Sequence, residues 1–501
     1  MSIGWIIFII GTLGWHIGMY GMFKKAGIEG WKALVPFYNT WCMVEKMELK
    51  KYWFFLQFIP VAGQFITIWI CIKFVEHFGR FGFWHHAAAV FFPLFYFPYL
   101  GYSKSERYAG IAVVKNYKKS GAREWIDAAA FAIVAATLIR TFVFEAYTIP
   151  TPSMEKTLLV NDFLFVSKST YGPRIPNTPI AMPFVHHTIP GLNVKSYVEW
   201  IHIPYTRWFT GPVKRNDAVV FNFPVNDTLI NDEVNFGSRV TYYDEVRRTS
   251  RDRVWQDYGD LIITRPVDKR ENFIKRCVGI GGDTIQIING KLHVNGKPED
   301  FFPQSERYYL LQVPEGVYLD EEKLAELGIN VRVSQEDLRQ VNNTLYQVNI
   351  TNEEKKNLKL PPGYILTDYI FDHRNDLFPY YDDSTGKTWS ADNFGPLWIP
   401  KKNATIQLTR DHIIRYGRCI RVYEGNTLEE RGGKYFINGV EAGSYTFKMD
   451  YYWLMGDNRH NSLDSRYWGF VPEDHVVGKA SLIWFSYENG PRWKRLFRWI
   501  K

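Results

Sequence analysis

The chain has 501 residues, of which 46% are hydrophobic and 17% aromatic, so a disordered or fibrous protein is excluded. Much of the net charge of +8 lies in short loops beside apolar segments, which gives no reason to expect a nucleic-acid partner. The four cysteines lack the paired spacing of a zinc site or a disulfide framework, and no metal or cofactor is expected.

Four apolar segments occupy the first third of the chain and predict a helical membrane anchor. Each offers roughly the 20 mostly apolar residues that a spanning helix needs. The first lacks the basic start and the small-residue cleavage site of a removable signal. The segments are residues 3–23, 52–72, 83–102 and 125–146.

The second and third segments are interrupted by prolines and polar side chains. We attribute these residues to packing between helices and to backbone adjustment, rather than to an intramembrane active site. The interrupting residues are Gln57, Pro60, Gln64, His85, His86, Pro93 and Pro98.

Loop charges predict the orientation of the anchor. Basic residues cluster in residues 24–51 and 103–124, whereas the short loop 76–82 contains only Arg80. Because cytoplasmic loops carry the excess of Lys and Arg, both basic loops are expected in the cytoplasm. The fourth helix then runs outward, and everything after Ala146 lies on the extracytoplasmic side.

A serine follows the fourth apolar segment, within residues 147–166. Ser153 is flanked by Pro152 and Met154, and a strand-like run comes next. Pro150 and Pro152 fix φ and favour an extended approach to the serine. A serine in this position is either a nucleophile just outside the bilayer or part of an ordinary surface turn.

Short alternating runs after Ser153 predict a mostly β domain. Helical periods are scarce, so we expect antiparallel pairing in a coiled sheet or partly open barrel. Asn289 and Gly290 mark a two-residue hairpin turn. The predicted strands are residues 162–167, 218–223, 260–264, 272–278, 284–288, 291–294, 435–438, 451–455 and 476–485.

Two insertions, residues 171–215 and 299–450, interrupt these strands. The second is expected to be an α+β region, with short helical candidates at 319–327 and 335–340. Residues 382–386 lack the ligand spacing of a calcium loop, so a solvated turn is expected there.

Histidines and cysteines outside the anchor show no metal-ligand spacing. We expect His186, His187 and His202 at the surface. Cys277 and Cys419 could form a bridge in an oxidising compartment, and the sequence leaves that question open.

A lysine interrupts the apolar strand 272–278. Strand alternation places Phe273, Lys275 and Cys277 on one face. A lysine there either reaches solvent or an ion partner, or it serves as a base. The second role requires the neutral amine, and apolar burial lowers a lysine pKa of about 10.4 by roughly 3–5 units.

A dense run of hydrogen-bonding residues, 456–472, precedes the final strand. It ends in an apolar sequence, W-G-F-V, that looks buried. This density indicates a network that supports a functional site, with a polar surface loop as the alternative.

The tail, residues 488–501, is basic and amphipathic. Trp493, Leu496, Phe497 and Ile500 follow helical spacing, while most of the basic side chains fall off that stripe. The expected helix would dock on the protein's own sheet or lie on the membrane surface.

Four motifs occur together in the chain. They are P-S-M-x-x-T-L at 152–158, D-x-V-V-F at 217–221, K-R-x-V-G-x-x-G-D at 275–283 and G-D-N-R-x-N-S-x-D-S-R-x-x-G at 456–469. In this order they resemble bacterial type I signal peptidase, also called leader peptidase. The resemblance covers residues 147–485 in outline, apart from the insertions.

The resemblance implies a Ser–Lys dyad without histidine. Ser153 would be the nucleophile and Lys275 the general base. Ser462 would hydrogen-bond the Lys275 amine and orient it. Thr151 would help the Ser153 backbone N–H form an oxyanion hole.

The same resemblance implies supporting and substrate-binding residues. Asp464 and Arg466 resemble a buried ion pair that shapes the lysine environment, and Arg276 would be a structural partner nearby. Residues on either side of the dyad would hold the substrate as an extended chain. These residues are Ile149, Pro150, Pro152, Met154, Asn272, Phe273 and Ile274.

The motifs depart from the family pattern at three positions. Lys156 and Gly281 stand where proline is usual or common, and His460 stands where aspartate is frequent. None of the departures removes a catalytic atom, although each affects the expected loop geometry.

By this resemblance, the chain would be a membrane-bound serine endopeptidase that removes N-terminal signal peptides at A-x-A-like sites. Its expected partners are presecretory proteins, the lipid bilayer and the secretion translocon. Its expected location is the bacterial inner membrane, multi-pass, with the catalytic domain on the periplasmic side.

The implied domain organisation has six parts. A membrane region with three helices precedes a fourth helix, a first catalytic part, an insertion, a last catalytic part and a tail. Their bounds are residues 1–124, 125–146, 147–298, 299–450, 451–487 and 488–501.

Three other classes fit less well. A self-cleaving repressor with a Ser–Lys dyad would carry a DNA-binding domain instead of apolar segments. An inactive membrane scaffold would be expected to lack Ser153 or Lys275. A transporter would need more paired charges within its spans.

Overall fold

The chain divides into two units, Met1–Leu138 and Ile139–Lys501. The computed structural model describes residues 3–58, 62–192, 194–232, 235–236, 240–299, 302–331, 337–373, 376–380 and 389–500. The expected turn at 382–386 and the proline at 60 lie outside the described residues, as does the side chain of Gln64.

The first unit is helical. Basic side chains end α1, α2, α4, α7 and α8, which favours their last turns because the helix dipole is negative there. The helices are α1 (Ile3–Lys25), α2 (Tyr38–Lys46), α3 (Tyr52–Leu56), α4 (Ala62–Glu76), α5 (Phe83–Phe91), α6 (Pro93–Tyr102), α7 (Ile111–Asn116) and α8 (Gly121–Phe142).

Glycines allow α1 and α6 to approach closely. A Cβ atom at Gly18 would lie 2.4 Å from the backbone nitrogen of Pro98, and one at Gly21 would lie 2.9 Å from Gly101. Small residues at a helix crossing permit this backbone contact. The interpretation of Pro98 as a packing residue is confirmed.

The second and third apolar segments do not form single helices. Residues 52–72 are divided between α3 and α4, and residues 83–102 between α5 and α6. Pro93 begins α6 because its missing N–H is tolerated only in a first turn. With 15 residues, α4 is about 22 Å long, which is shorter than a hydrocarbon core of about 30 Å.

Contacts between loops correct the predicted topology. Arg80 Nε donates to Glu106 Oε2 at 2.8 Å, and the backbone of Ala109 also bonds to the end of α4. The loop 76–82 therefore lies at the same end of the helices as residues 103–124. The sequence placed these loops on opposite sides, which is wrong because the interrupted segments turn back as hairpins.

Within the residues that the structure describes, one helix, α8, is long and apolar enough to cross a membrane. It corresponds to the fourth predicted segment and leads directly into the first strand of the second unit. A four-helix anchor is therefore not confirmed.

The second unit is mostly β, and its described part contains six short α-helices. At the predicted β7–β8 turn, Asn289 and Gly290 have φ of 49° and 73°, as a type I′ hairpin requires. The strands are β1 (Phe144–Thr148), β2 (Asp162–Ser167), β3 (Ala218–Asn222), β4 (Thr228–Ile230), β5 (Ile262–Thr264), β6 (Asn272–Gly279), β7 (Thr284–Ile288), β8 (Lys291–Val294), β9 (Lys297–Pro298), β10 (Glu306–Gln312), β11 (Leu338–Asn342), β12 (Leu345–Thr351), β13 (Ile365–Asp368), β14 (Phe394–Trp398), β15 (Thr405–Gln407), β16 (Leu428–Arg431), β17 (Lys434–Ile437), β18 (Val440–Glu441), β19 (Ser444–Thr446), β20 (Tyr451–Met455), β21 (Val471–Pro472), β22 (Val476–Ser486) and β23 (Arg498–Trp499). The helices are α9 (Tyr242–Arg248), α10 (Arg251–Tyr258), α11 (Glu321–Glu326), α12 (Asn352–Asn357), α13 (Arg410–Arg418) and α14 (Ser465–Trp468).

An eight-stranded sheet organises this unit, in the order β1-β2-β22-β3-β6-β20-β21 with β23 beside β22. Its described ladders are antiparallel. Register shifts along β2–β22, β3–β22 and β6–β20 bend the strands, and the sheet curls into a half-barrel. The predicted antiparallel coiled sheet is confirmed.

Both faces of the sheet are covered by hydrophobic clusters. Phe221, Cys277 and Leu454 belong to one cluster, and Leu164 and Val220 to another. Successive residues of β3 thus enter different clusters, which explains why this strand is buried at every position.

The insertion 299–450 packs around the sheet and also forms a sheet of its own, in the order β11-β12-β10-β13. Helix α11 confirms the helix predicted at 319–327. The described part of the other candidate, 335–340, enters strand β11 instead. Pairing with β12 overrides its local helical pattern.

The tail is not a helix. It forms a short turn at Trp493–Arg495 and then β23, which pairs with β22. Arg495 secures it, because Nη2 and Nε donate to the buried Asp162 carboxylate at 2.5 and 3.1 Å. Of the two predicted positions for the tail, the contact with the protein's own sheet is observed.

All four cysteines are free and buried, so Cys277 and Cys419 do not form a bridge. His202 is exposed as expected. His186 is half-buried, and its Nε2 lies 2.8 Å from the carbonyl oxygen of Arg270, so the surface prediction is wrong for this residue.

Candidate active site

Ser153 lies in a single turn of 3₁₀-helix, Pro152–Met154, that follows the extended residue Thr151. The sequence predicted an extended nucleophile, but only the approach is extended. Ser153 is buried, and its carbonyl oxygen accepts a hydrogen bond from the Asn458 backbone N–H at 3.2 Å. The polar run after β20 therefore fixes the backbone of Ser153 through this hydrogen bond.

Lys275 lies on β6 opposite Val219 of β3. Its Nζ donates to Ser153 Oγ at 2.7 Å and to the carbonyl oxygen of Ile274 at 3.0 Å. The first distance is within the range for proton transfer between a nucleophile and its base. The sequence predicted this pair, and the structure brings it together.

The environment of Lys275 favours the neutral amine. Only 3% of the residue is exposed. Burial lowers the pKa of Lys275 to about 8, against the opposing charges of Asp464 and Asp457. Phe273 contributes to this apolar surrounding, with its ring centroid 5.9 Å from Nζ, which confirms that both side chains share one face.

Thr151 reaches the site from the strand-like approach. Its Oγ1 lies 3.4 Å from Ser153 Oγ, so the described contact is with the nucleophile's hydroxyl. This places a second hydroxyl beside the atom that would attack.

Ser462 is brought to the site but does not make its expected bond. Its Oγ is buried and has no hydrogen-bond partner among the described residues. A Cβ atom at Gly456 would lie 2.2 Å from this oxygen and 2.5 Å from the Ser153 carbonyl oxygen. Gly456 is thus required so that Ser462 and Ser153 can approach, a packing role that the motif alone did not indicate.

Two buried ion pairs surround the dyad. Arg466 donates to both oxygens of Asp464 at 2.9 and 2.8 Å, as predicted. Arg276 donates to both oxygens of Asp457 at 2.7 Å, a partner that sequence reasoning missed. Although burial opposes it, Arg466 keeps the pKa of Asp464 below its usual value. These bidentate contacts fix the polar run rigidly.

A cavity of about 150 Å³ opens beside the dyad, between the approach to Ser153 and strand β6. Pro152 does not line it, and its carbonyl oxygen instead lies 3.5 Å from Asn458 Nδ2. The predicted substrate-binding residues that do line it are Ile149, Pro150, Met154, Asn272, Phe273 and Ile274.

Lys156, the first departure from the family motifs, contacts the insertion. Its φ is 66°, which a proline ring cannot adopt. Its Nζ donates to the carbonyl oxygen of Asn330 and lies 4.0 Å from Glu354. Lys156 therefore replaces the proline usual in the family at a point where the segment that carries Ser153 contacts the insertion.

The other two departures from the family motifs, Gly281 and His460, also contact the insertion. A Cβ atom at Gly281 would lie 3.0 Å from Asp450 Oδ1, so the insertion limits the size of this residue. His460 accepts the Tyr308 N–H at 3.1 Å and lies 2.9 Å from the Asp392 carboxylate. All three unusual residues thus touch the insertion.

The site thus combines a buried hydroxyl and a buried amine on a curled antiparallel sheet. The model of the family "Signal peptidase, peptidase S26" matches residues 122–367 and 416–485. The chain therefore belongs to the signal peptidase family. Residues 31–111 match a second model, a family of unknown function, DUF5684.

Curated relatives agree with this assignment. Signal peptidase I of Buchnera aphidicola subsp. Schizaphis graminum is 26% identical over 361 residues, covering 70% of this chain and 71% of the relative. Signal peptidase I of Haemophilus influenzae is 23% identical, covering 76% and 77%. Signal peptidase I of Aquifex aeolicus is 24% identical, covering 71% and 80%.

Proposed function

We propose that this chain is a membrane-anchored endopeptidase that removes N-terminal signal peptides from exported precursors by a Ser–Lys dyad mechanism. The single observation that carries the proposal is the 2.7 Å contact between Lys275 Nζ and Ser153 Oγ in a buried site. Family membership supports the substrate class. The limited size of the cavity beside the dyad, about 150 Å³, agrees with cleavage after small residues.

The chemistry proceeds in two halves. Ser153 Oγ attacks the scissile carbonyl carbon while its proton passes to Lys275 Nζ. That proton then moves to the leaving amine as the C–N bond breaks, leaving an ester on Ser153. Water attacks the ester, Lys275 takes a water proton and returns it to Ser153 Oγ, and the signal peptide leaves with a new carboxyl group.

Ser462 and the ion pairs support these steps. The unpartnered Ser462 Oγ would accept a hydrogen bond from the Lys275 ammonium once the proton has left Ser153. Thr151 and the Ser153 backbone N–H would stabilise the oxyanion. The pair Asp464–Arg466 would keep the loop in place during both halves.

In this proposal, the membrane sets the position of the substrate's cleavage site relative to Ser153. Helix α8 would run outward from the basic cytoplasmic end of the first unit and deliver β1 at the outer leaflet. A signal peptide embedded in the same bilayer would present its cleavage site at that depth. Presecretory proteins, the bilayer and the translocon are then the expected partners, in a bacterial inner membrane.

The test uses the purified full chain in detergent with a presecretory protein, followed by N-terminal sequencing of the product. Wild type should release a mature N-terminus that follows an A-x-A-like site. Ser153→Ala and Lys275→Ala should each abolish the product, whereas Ser169→Ala and Lys291→Ala, at exposed positions, should not. Normal cleavage by either dyad variant would refute the mechanism.

A further inference from the structure

A groove of about 390 Å³ lies beyond the active site, between helix α9 and the end of the polar run. We call it the α9 groove. Its size is within the range of binding pockets in proteins. Its walls include aromatic side chains from three parts of the chain, namely Tyr243, Tyr380, Tyr467 and Trp468.

The α9 groove is separated from the dyad by one aromatic ring. Phe273 lines the active-site cavity and lies 5.9 Å from Lys275 Nζ. On its other side, its ring centroid lies 5.8 Å from that of Trp468, which lines the α9 groove. Leu463, the residue after Ser462, is also part of the wall. The two spaces are therefore neighbours along one surface.

Most charged side chains in the wall of the α9 groove form ion pairs with each other, and Asp376 adds a further carboxylate. Thr241 and Asp244 form a capping box at the start of α9. Arg247 pairs with Asp244, and its guanidinium carbon lies 3.8 Å from the ring centroid of Tyr380. Arg248 pairs with Glu245 at 2.6 Å. Such a wall favours an apolar or aromatic side chain over a charged one.

Trp468 gives this end of the α9 groove an aromatic surface. The residue is 3% exposed, and its ring packs against that of Phe273. Its Nε1–H is buried and has no hydrogen-bond partner among the described residues, so it is not accessible to a ligand in the groove. The contribution of Trp468 to the groove is therefore apolar.

We propose that the α9 groove binds the mature part of the substrate, taking a large apolar side chain about three to four residues after the scissile bond. This inference rests on the proposed function. Residues before the bond occupy the cavity beside the dyad, so the chain that continues past Phe273 is the part after the bond. The contacts from Lys275 through Phe273 to Trp468 span at most about 12 Å. An extended chain advances about 3.3 Å per residue, so three to four residues cover that length.

The test compares three peptides that share one signal segment and cleavage site. One ends two residues after the bond, one continues to the sixth residue with Phe at the fourth, and one has Asp at the fourth. For wild type we expect kcat/KM for the Phe peptide to exceed that for the short and Asp peptides by about tenfold, as one well-buried side chain allows.

Filling the α9 groove should remove this preference. Val240 is partly exposed on the wall, and Val240→Trp should reduce the ratio of long to short kcat/KM to near one. Val341→Trp, at an exposed position on β11, is the matched control and should keep the wild-type ratio.

Three outcomes separate the possibilities. An unchanged ratio in Val240→Trp, or no gain from the Phe peptide in wild type, overturns the inference while cleavage of the short peptide upholds the peptidase. A fourth peptide, with an apolar change in the signal segment instead, serves as a further check: a gain in its kcat/KM that is lost in Val240→Trp would assign the groove to the other side of the bond and also overturn the inference. No cleavage of any peptide would instead overturn the proposed function.

Discussion

In the proposed mechanism, Lys275 acts as a base only while its amine is neutral. The surroundings of the side chain determine the fraction of neutral amine at a given pH. Burial lowers its pKa to about 8, so the neutral form is the minority below that pH and the majority above it. Asp464 and Asp457 limit the shift, because each favours the charged amine.

The activity should therefore rise with pH. We expect kcat/KM for precursor cleavage to increase about tenfold per pH unit below about pH 8 and to level off above it. The measurement is a pH profile between pH 6 and 10, with unfolding monitored at each pH to exclude loss of structure. A flat profile across this range would contradict a neutral Lys275 as the base.

At the scale of residues, the motifs were sufficient for Ser153, Lys275 and the pair Asp464–Arg466. They carry chemistry or charge at fixed spacing, which a sequence displays directly. The motifs placed Ser462 correctly at the site, but its expected hydrogen bond to Lys275 is not observed. The direction of a hydroxyl depends on which donors compete for it. The partner of Arg276 was missed because the polar run contains two acidic residues, Asp457 and Asp464, and spacing does not choose between them.

At the scale of elements, the insertion supports the catalytic loop. The Glu306 N–H of β10 donates to the Asp457 carbonyl oxygen, and the Arg459 N–H returns a bond to Glu306, both at 2.9 Å. Asn349 of β12 donates to Asn458 Oδ1 at 3.2 Å and to Asp337 Oδ1 at 3.0 Å. Because Asn458 in turn holds the Ser153 carbonyl, the insertion reaches the nucleophile in two steps.

This contact predicts an effect of a residue outside the motifs. Asn349→Ala removes both hydrogen bonds that the Asn349 side chain donates and leaves their two acceptors without this donor. We expect this loss to lower the free energy of unfolding by about 1–3 kcal/mol. We expect kcat to fall about tenfold with little change in KM, since the nucleophile is displaced while the substrate cavity is intact. Steady-state kinetics and thermal unfolding are the measurements.

Asn343→Ala, at an exposed position in the turn between β11 and β12, is the control for the Asn349 variant. It should leave both kcat and the midpoint of unfolding near the wild-type values. An Asn349 variant that loses stability but keeps kcat would show that the insertion is bound to the loop without positioning it.

Most strands of the central sheet were predictable, whereas β1, much of the insertion and the tail were not. Residues 144–146 of β1 fell within the predicted fourth membrane helix, which ends at Phe142 instead. Strands buried on both faces show as apolar runs, and the hairpin turn shows in its own two residues. Helix α9 was missed although its capping box was a usable signal. The tail has helical spacing, but β22 extends past its pairing with β3, and the tail pairs there with Leu482 and Ile483. This tertiary pairing decides its structure.

At the scale of the whole molecule, the hairpins of the first unit bring residues 76–82 and 103–124 to one end of its helices. In the proposed topology both loops are therefore expected on the cytoplasmic side. The sequence could not show this, because a proline-interrupted apolar segment has the same composition whether it crosses or turns back.

Surface labelling in intact cells tests this topology. Gly82→Cys and Lys118→Cys should both resist a membrane-impermeant maleimide, whereas Lys195→Cys in the second unit should react. The native cysteines are buried and give a low background. Labelling at position 82 alone among the first two would restore the alternating four-span arrangement, and labelling of cells after permeabilisation controls for access.

The pairing of β6 with β20 has a consequence for the time at which the site becomes competent. These neighbours carry Lys275 and lead into the loop with Ser462, yet the whole insertion lies between them in the chain. Contacts of such long sequence separation form late in folding, because the intervening chain must first lose its entropy. Ser153 and Lys275 are therefore synthesised well before the site around them is complete, and we expect activity only in the fully folded molecule.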